Sequence, residues 1–335
     1  MDSLTQIVLG AAVGEAVLGK KIGNKAIMYG AIAGTIPDLD VLAKLFTDTI
    51  TATEFHRGFS HSIVFCVMFA PVLGWLVNKI EKKYALGWRA WSWLFFLGLF
   101  THPVLDAFTT WGTQLLWPFD TRIALNSIFV IDPLYTVPFL ICVIWVMFLK
   151  RNSVLRWRVN QAGLVISTSY LLLTLAIKTI STQEFTRALD SDQVAYKRLS
   201  TRPSPMNTIL WNCNVETDSA YLIGDYSFFD TKPIKFVSYP KNTLLEQTLK
   251  PASQQDFKRL KEISQNWYLL SQENESLYYN DLRFGLIPKR KAEPEFVFKY
   301  KLIEHEDGMK AIETEKTSMD AMFVLTTIWE RVKGN

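Results

Sequence analysis

Residues 56–78, HRGFSHSIVFCVMFAPVLGWLVN, decide the fold, because two histidines stand directly before an uninterrupted apolar run. The run at 62–78 has the length, about 17–25 residues, that a helix needs to cross a hydrocarbon core of about 30 Å. We therefore expect this segment to span a membrane. His56 and His61 then lie at one end of the span, where polar groups can meet water.

Further apolar runs lie on both sides of this segment. Three later runs, 91–109, 128–149 and 161–180, are also long enough to span, so we expect four long transmembrane helices in all. Two earlier runs, 4–19 and 26–36, are shorter. They are predicted to form a short helical hairpin that spans, re-enters or packs half-buried.

Both short runs carry a pair of glycines four residues apart. Gly10 and Gly14 lie in the first run, and Gly30 and Gly34 in the second. This spacing puts the glycines on one helix face and lets two backbones approach closely. Chance glycines in an apolar run explain the pattern equally well.

Composition separates the chain into two parts. Only 20% of its residues are charged, against about 25% in soluble domains. Residues 1–180 carry 15 Lys or Arg and 10 Asp or Glu, whereas residues 181–335 carry 21 and 22. The predicted fold is a membrane all-α bundle over 1–180, followed by a small α+β soluble domain over 181–335. Strand-like stretches lie near 221–229, 235–239, 277–284 and 296–302, and helical patterns near 254–264 and 319–332.

Basic residues fall in alternate loops, and the cytoplasmic loops of membrane proteins are enriched in Lys and Arg. The loops at 37–60 and 110–127 hold few of them and are predicted to lie outside. The alternation needs six crossings, or four plus a re-entrant hairpin, and makes 181–335 extracytoplasmic. The residues predicted to be cytoplasmic are Lys20, Lys21, Lys25, Lys79, Lys82, Lys83, Arg89, Lys150, Arg151, Arg156 and Arg158.

Two kinds of partner or site are disfavoured. The net charge of +4 is spread over short loops without a block of five like charges, so nucleic acid is not an expected partner. Cys66, Cys142 and Cys213 show no CxxC spacing, which supports neither a disulfide framework nor a thiolate zinc site.

Histidines and aspartates gather on the predicted outer face. Three of the four histidines lie in the N-terminal half. His102 and Asp106 are four residues apart, which places them on one helix face if the helix continues through Pro103. The topology rests on Lys and Arg alone, yet it brings Asp2, Asp38, Asp40, His56, His61, His102, Asp106 and Asp132 to the same side.

This mixture of imidazoles and carboxylates predicts a divalent metal site, because charged groups at a membrane persist when they pair or bind ions. Zinc is the first expectation, with manganese or iron as alternatives. Asp38 and Asp40 could serve as ligands or as general base, and Arg57 is placed to meet an anion. The predicted metal ligands are His56, His61, His102, Asp106, Asp38 and Asp40.

Each element also has a structural interpretation. Asp38 and Asp40 could end a helix in a solvated loop, and His102 with Asp106 could be a hydrogen-bonded pair. For Asp2 and Asp132 the helix-cap interpretation is favoured, because both stand at predicted helix starts. His305, in the soluble part, is predicted to be exposed and inert.

The motifs MDSLT at 1–5, PDLD at 37–40, HRGFSHS at 56–62 and HPVLD at 102–106 resemble the YdjM-type membrane-bound metal-dependent hydrolases. The resemblance covers about the first 180 residues. It implies a divalent-metal hydrolase of the bacterial inner (cytoplasmic) membrane. Many relatives have Thr-His near the N-terminus where this chain has Thr5-Gln6, so a site that uses this position would be altered here.

The expected function is a metal-dependent hydrolase at the outer membrane face, acting on a lipid-linked or amphiphilic substrate. The membrane lipid itself is an expected contact, with interfacial belts formed by the tryptophans at 88, 91, 93, 111 and 117. Three alternatives stay open: a metal-free lipid phosphatase, a transporter, and an assembly or partner-binding protein with a structural metal. Metal-dependent turnover separates the hydrolase from all three.

Overall fold

A computed structural model describes residues 1–247, 254–290, 293–305, 308–314 and 320–335 of the chain. The N-terminal part is helical, and a sheet-containing part follows it. The helical part consists of α1 (Ser3–Ile22), α2 (Asn24–Thr35), a 3-10 helix (Ile36–Leu45), α3 (Thr49–Phe55), a 3-10 turn (Phe59–His61), α4 (Ile63–Ile80), a 3-10 turn (Lys82–Tyr84), α5 (Trp88–Asp106), α6 (Pro133–Phe148) and α7 (Val154–Ser191).

The sheet-containing part has two antiparallel four-stranded sheets, in the orders β1-β2-β3-β4 and β5-β6-β7-β8. The four strand-like stretches of the sequence fall on β3, β4, β6 and β7, so those predictions are confirmed. The elements are β1 (Arg198–Pro203), β2 (Leu210–Glu216), β3 (Ala220–Ser227), β4 (Phe236–Pro240), α8 (Thr243–Gln247), α9 (Gln254–Ile263), β5 (Tyr268–Glu273), β6 (Ser276–Ile287), β7 (Glu295–His305), β8 (Gly308–Glu313) and α10 (Ala321–Val332).

The two predicted helical patterns correspond to α9 and α10. The start of the second pattern, residue 319, lies outside the described residues, and so does the side chain of His305, which carried the prediction of an exposed, inert histidine.

The membrane-span prediction is confirmed only in part. Within the described chain, three helical segments are long and apolar enough to cross a membrane: Asn24–Leu45, Ile63–Ile80 and Val154–Ser191. The run at 128–149 yields only the 16-residue helix α6, because Asp132 caps the helix at Pro133. Helix α5 is not one of the three, since Arg89 and the polar residues near His102 dilute its apolar character.

The first of these spans was predicted as a short segment. Helix α2 continues directly into the 3-10 helix, so the run at 26–36 becomes part of a 22-residue helical segment that ends at Leu45. The expected hairpin of two short helices therefore contains one segment that is long enough to span a membrane.

The chain forms two compact units. One contains residues 1–43, 55–177 and 205–207, and the other contains 44–54, 178–204 and 208–335. The short segment 44–54 belongs to the second unit because Ile50 packs in its core beside Phe257, and Glu54 pairs with Arg259 at 2.6 Å.

Helices α1 and α2 approach each other closely, which confirms the structural reading of the glycine pairs. A methyl group added at Gly10 would lie 2.3 Å from the carbonyl oxygen of Gly30, and one added at Gly34 would lie 2.5 Å from that of Gln6. Only glycine allows this separation of the two backbones.

Candidate metal centre

Four side chains of the helical part converge on one point: Asp38, His61, His102 and Asp106. One ligand atom from each lies within 4.8 Å of all the others. The side chains of His61, His102 and Asp106 are fully buried, and that of Asp38 is 22% exposed. We call these four residues the quartet.

The spacing of the quartet suits a small four-coordinate cation. The two Nε2 atoms of His61 and His102 lie 3.1 Å apart. Asp38 Oδ1 lies 3.5 and 3.4 Å from these nitrogens, and Asp106 Oδ2 lies 3.4 and 3.5 Å from them. Ligands at about 2.0–2.1 Å from a tetrahedral zinc ion are separated by about 3.3 Å. The donor set and its spacing are therefore compatible with a bound metal ion.

Local structure presents each residue of the quartet. Asp38 follows Pro37 on the 3-10 helix that continues α2. His61 ends the turn before α4, whose first free amides are capped by Ser62 through a bond from Phe65 N. Helix α5 continues through Pro103 to Asp106, so His102 and Asp106 share a face as predicted.

Both histidines turn Nε2 toward the centre because Nδ1 is held from outside. His102 Nδ1 lies 2.6 Å from the carbonyl oxygen of Gly34. A carbonyl only accepts, so Nδ1 carries the hydrogen and Nε2 offers a lone pair. His61 Nδ1 lies 3.2 Å from Asp40 Oδ2, an arrangement of carboxylate, imidazole and metal position that is typical of metal sites.

Asp40 forms a second layer outside the quartet. Its carboxylate lies 2.9 Å from His56 Nδ1 and accepts bonds from Arg57 N at 2.9 Å and from Ser60 Oγ at 2.8 Å. Asp40 and His56 were predicted as ligands, but the quartet does not include them. Their role as direct ligands stays a prediction.

The two oxygens of Asp106 have different surroundings. Oδ1 accepts a bond from Gln6 Nε2 at 3.0 Å and contacts the amino group of Met1. Oδ2 faces the quartet and lies 3.1 Å from Arg57 Nε, yet no donor in the described chain makes a hydrogen bond to it. Buried polar atoms are nearly always satisfied, so this oxygen, whose charged neighbour is Arg57, has room for a further partner such as a bound cation.

The electrostatics of the site favour a positive charge. The carboxylates of Asp38, Asp40 and Asp106 surround His61, while the Arg57 side chain and the Met1 amino group both pair with Asp106. Burial alone would lower the pKa of the His61 imidazole, but its contacts with these three carboxylates raise that pKa to about 9. The groups that hold this proton would equally hold a divalent cation.

The remaining predicted residues lie elsewhere or act indirectly. Asp2 caps α1, and Asp132 caps α6 while accepting a bond from Tyr170, so the helix-cap interpretation of both is confirmed. Arg57 is buried and donates to Thr109 Oγ1 at 2.7 Å. Sequence reasoning missed the carbonyl of Gly34, although the glycine spacing that positions it was visible.

Comparisons with known proteins give one family and two relatives. The model of the family described as YdjM inner membrane protein matches residues 1–185. The uncharacterized protein YfhP of Bacillus subtilis is 32% identical over 154 residues, which is 43% of this chain and 46% of YfhP. The inner membrane protein YbcI of Escherichia coli is 31% identical over 120 residues, 35% of this chain and 67% of YbcI. No solved structure matches the chain significantly.

Proposed function

Because the chain belongs to the YdjM inner membrane protein family, whose matched region contains the whole quartet, we propose that it is a membrane-bound metal-dependent hydrolase. The divalent ion, zinc first and manganese or iron as alternatives, is held by Asp38, His61, His102 and Asp106.

One observation carries the proposal. A fully buried carboxylate oxygen, Asp106 Oδ2, makes no hydrogen bond within the described chain and lies 3.4 and 3.5 Å from the Nε2 atoms of His61 and His102. A structural hydrogen-bonded pair would leave no such atom orphaned, because an unsatisfied buried polar group costs about 1–3 kcal/mol.

Each residue around the metal position has a separate role in the proposed hydrolysis. A divalent ion, when bound, supplies a water of lowered pKa as nucleophile. Asp38 is the exposed member of the quartet, so water and substrate approach from its side. Its carboxylate can accept the proton of an approaching water. Asp40 keeps His61 oriented, and Arg57, buried against Asp106, balances the carboxylates and is too enclosed to reach a substrate anion.

The surroundings of the site favour an amphiphilic substrate. Leu39 and Leu42 lie on the same 3-10 helix as Asp38 and are about half exposed. Leu116 and Phe119 are also exposed, on a loop attached to the site by the bond from Gln114 N to the carbonyl of Arg57. A headgroup at the quartet would have its tail against these side chains, as expected for a lipid-linked molecule.

We further propose that the site faces the outside, with residues 181–335 extracytoplasmic, as the distribution of Lys and Arg favours. Reporter fusions after Ser181 test this orientation. An alkaline phosphatase fusion should be active and a cytoplasmic fluorescent reporter inactive. The reverse pattern overturns the orientation without touching the metal proposal.

Metal content with turnover tests the function. Protein purified in detergent without chelators should contain about one zinc, manganese or iron per chain by mass spectrometry, and H61A/H102A should contain none. His56→Ala is the matched control, because it removes an imidazole outside the quartet and should keep the metal. Wild type should then hydrolyse lipid phosphate or ester substrates in a metal-dependent way.

The other outcomes separate the alternatives. Absence of metal from wild type contradicts the proposal and leaves a transporter or a metal-free phosphatase. Metal without turnover on any substrate class makes the ion structural, in a membrane protein that assembles with a partner.

A further inference from the structure

A second, apolar feature lies on the helical part, away from the quartet. Helices α4 and α5 enclose a groove of about 320 Å³. Small side chains line part of it, at Ala70 and Pro71 of α4 and Ser92 of α5. Its volume is at the lower end of the range of about 300–1,000 Å³ for ligand pockets.

Close packing of the two helices creates the floor of the groove. A methyl group added at Gly74 would lie 2.5 Å from the backbone nitrogen of Ser92, so the backbones touch just beside the groove. Larger side chains, Val67 on α4 with Trp93 and Phe96 on α5, form its walls. The groove thus runs along α4, a helix long and apolar enough to cross a membrane. In a membrane, the acyl chains of lipids are the apolar groups that can fill such a groove.

One end of the groove carries the positively charged side chain of Arg89. Trp88 and Arg89 line it at the first residues of α5, and the Arg89 guanidinium lies 5.8 Å from the centre of the Trp88 ring. No carboxylate in the described chain pairs with Arg89. An unpaired guanidinium beside an apolar channel complements an anionic headgroup attached to a hydrocarbon tail.

On α4, Trp75 and Lys79 form the kind of pair that is found at a membrane interface. Lys79 Nζ lies 3.5 Å from the centre of the Trp75 ring, and Trp75 is about half exposed. Tryptophan and lysine with this arrangement mark the headgroup region of a bilayer. Arg89 therefore stands where lipid phosphates are found.

We propose that this groove binds one anionic phospholipid, with the phosphate on Arg89 and an acyl chain between α4 and α5. Its residues are separate from the quartet, so the binding does not depend on the hydrolase proposal. A zwitterionic lipid satisfies the apolar walls but compensates less of the charge on Arg89.

Native mass spectrometry of the full chain, released from detergent with phosphatidylglycerol or phosphatidylethanolamine, tests the groove. Wild type should retain phosphatidylglycerol preferentially. Arg89→Ala should reduce that retention about five-fold, because the guanidinium that lines the groove would no longer make charge-assisted hydrogen bonds to the phosphate. Lys79→Ala is the matched control and should change it little, because Lys79 does not line the groove.

A second pair of variants tests the acyl chain. Val67→Trp fills the groove from an exposed position and should abolish retention of both lipids. Val72→Trp adds the same ring at an equally exposed position on α4 outside the groove, and should not. Equal retention by Arg89→Ala and wild type, or full retention by Val67→Trp, overturns the proposal.

Discussion

The helical part contains two buried polar clusters that look alike in composition and differ in how they are satisfied. In the first, Arg156 donates to both carboxylate oxygens of Glu15, at 2.7 and 2.6 Å, and to the carbonyl of Leu149 at 2.8 Å. In the second, the quartet, Asp106 Oδ2 has no hydrogen-bond donor in the described chain.

The difference indicates which cluster is structural and which binds. In a bidentate pair of opposite charges, each group satisfies the hydrogen-bonding capacity of the other, so no further ligand is needed. The quartet gathers two carboxylates around two imidazoles, with one ligand atom from each within 4.8 Å of the others. Both clusters are buried and charged, so these two properties do not show which cluster binds a ligand. The number of buried polar atoms without a hydrogen bond distinguishes them.

Removing the charge of one quartet carboxylate should have the largest effect on metal binding. Asp38→Asn keeps the shape of the side chain but removes the charge, so metal content should fall from about one per chain to below detection. Asp132→Asn is the control, because asparagine caps a helix as well as aspartate does. Stoichiometric metal in Asp38→Asn, measured by mass spectrometry, would exclude this quartet as the site.

The structural cluster should respond in the opposite way. Arg156→Met leaves Glu15 buried without its partner, and breaking a buried pair costs about 3–5 kcal/mol in stability. Unfolding in detergent should show this loss, while metal per folded chain stays unchanged. E15L/R156M should recover most of the stability. Loss of metal in Arg156→Met would show that the two clusters are coupled.

The second layer should have an intermediate effect. Asp40→Asn weakens the bond that orients His61, and such changes typically lower metal affinity about 10–100-fold. Competition with a chelator of known affinity measures this. Ser60→Ala removes a neutral hydroxyl that bonds Asp40 and lies 3.0 Å from His61 Nδ1. It should change the affinity less, because the Asp40 carboxylate still faces that nitrogen at 3.2 Å. A complete loss of metal in Asp40→Asn would instead make Asp40 a direct ligand, as the sequence allowed.

Four of the predicted ligands, Asp38, His61, His102 and Asp106, come together in the structure, and their role as a site stays a prediction. Lys and Arg set a topology, and the topology brought His61, His102, Asp38 and Asp106 to one side. The sequence could not separate these four residues from Asp40 and His56. Asp38 and Asp40 are only two residues apart, and which partners each carboxylate contacts is decided by the 3-10 helix that carries them.

The errors in the helical part have local causes. Hydropathy counted the residues before Pro133 as helix, although the side chain of Asp132 caps α6 there. It also ended the second segment near residue 36, since Asp38 and Asp40 reduce the average, whereas the helical turn continues to Leu45. The strands β1, β2, β5 and β8 were missed, because their pairing is decided by neighbouring strands and not by their own pattern.

The smallest expected effect concerns Gln6, at the position where the family resemblance implies histidine in many members. Gln6 Nε2 donates to Asp106 Oδ1, on the side of the carboxylate that faces away from His61 and His102, and Gln6 Oε1 has no partner in the described chain. Gln6→His should therefore act only through Asp106 and change metal affinity less than about ten-fold, the lower limit for groups that orient a ligand. Chelator competition on this variant and wild type measures the difference. A gain well above ten-fold, or a second bound ion, would show that this position reaches the metal, and that the quartet here is a reduced form of a larger site.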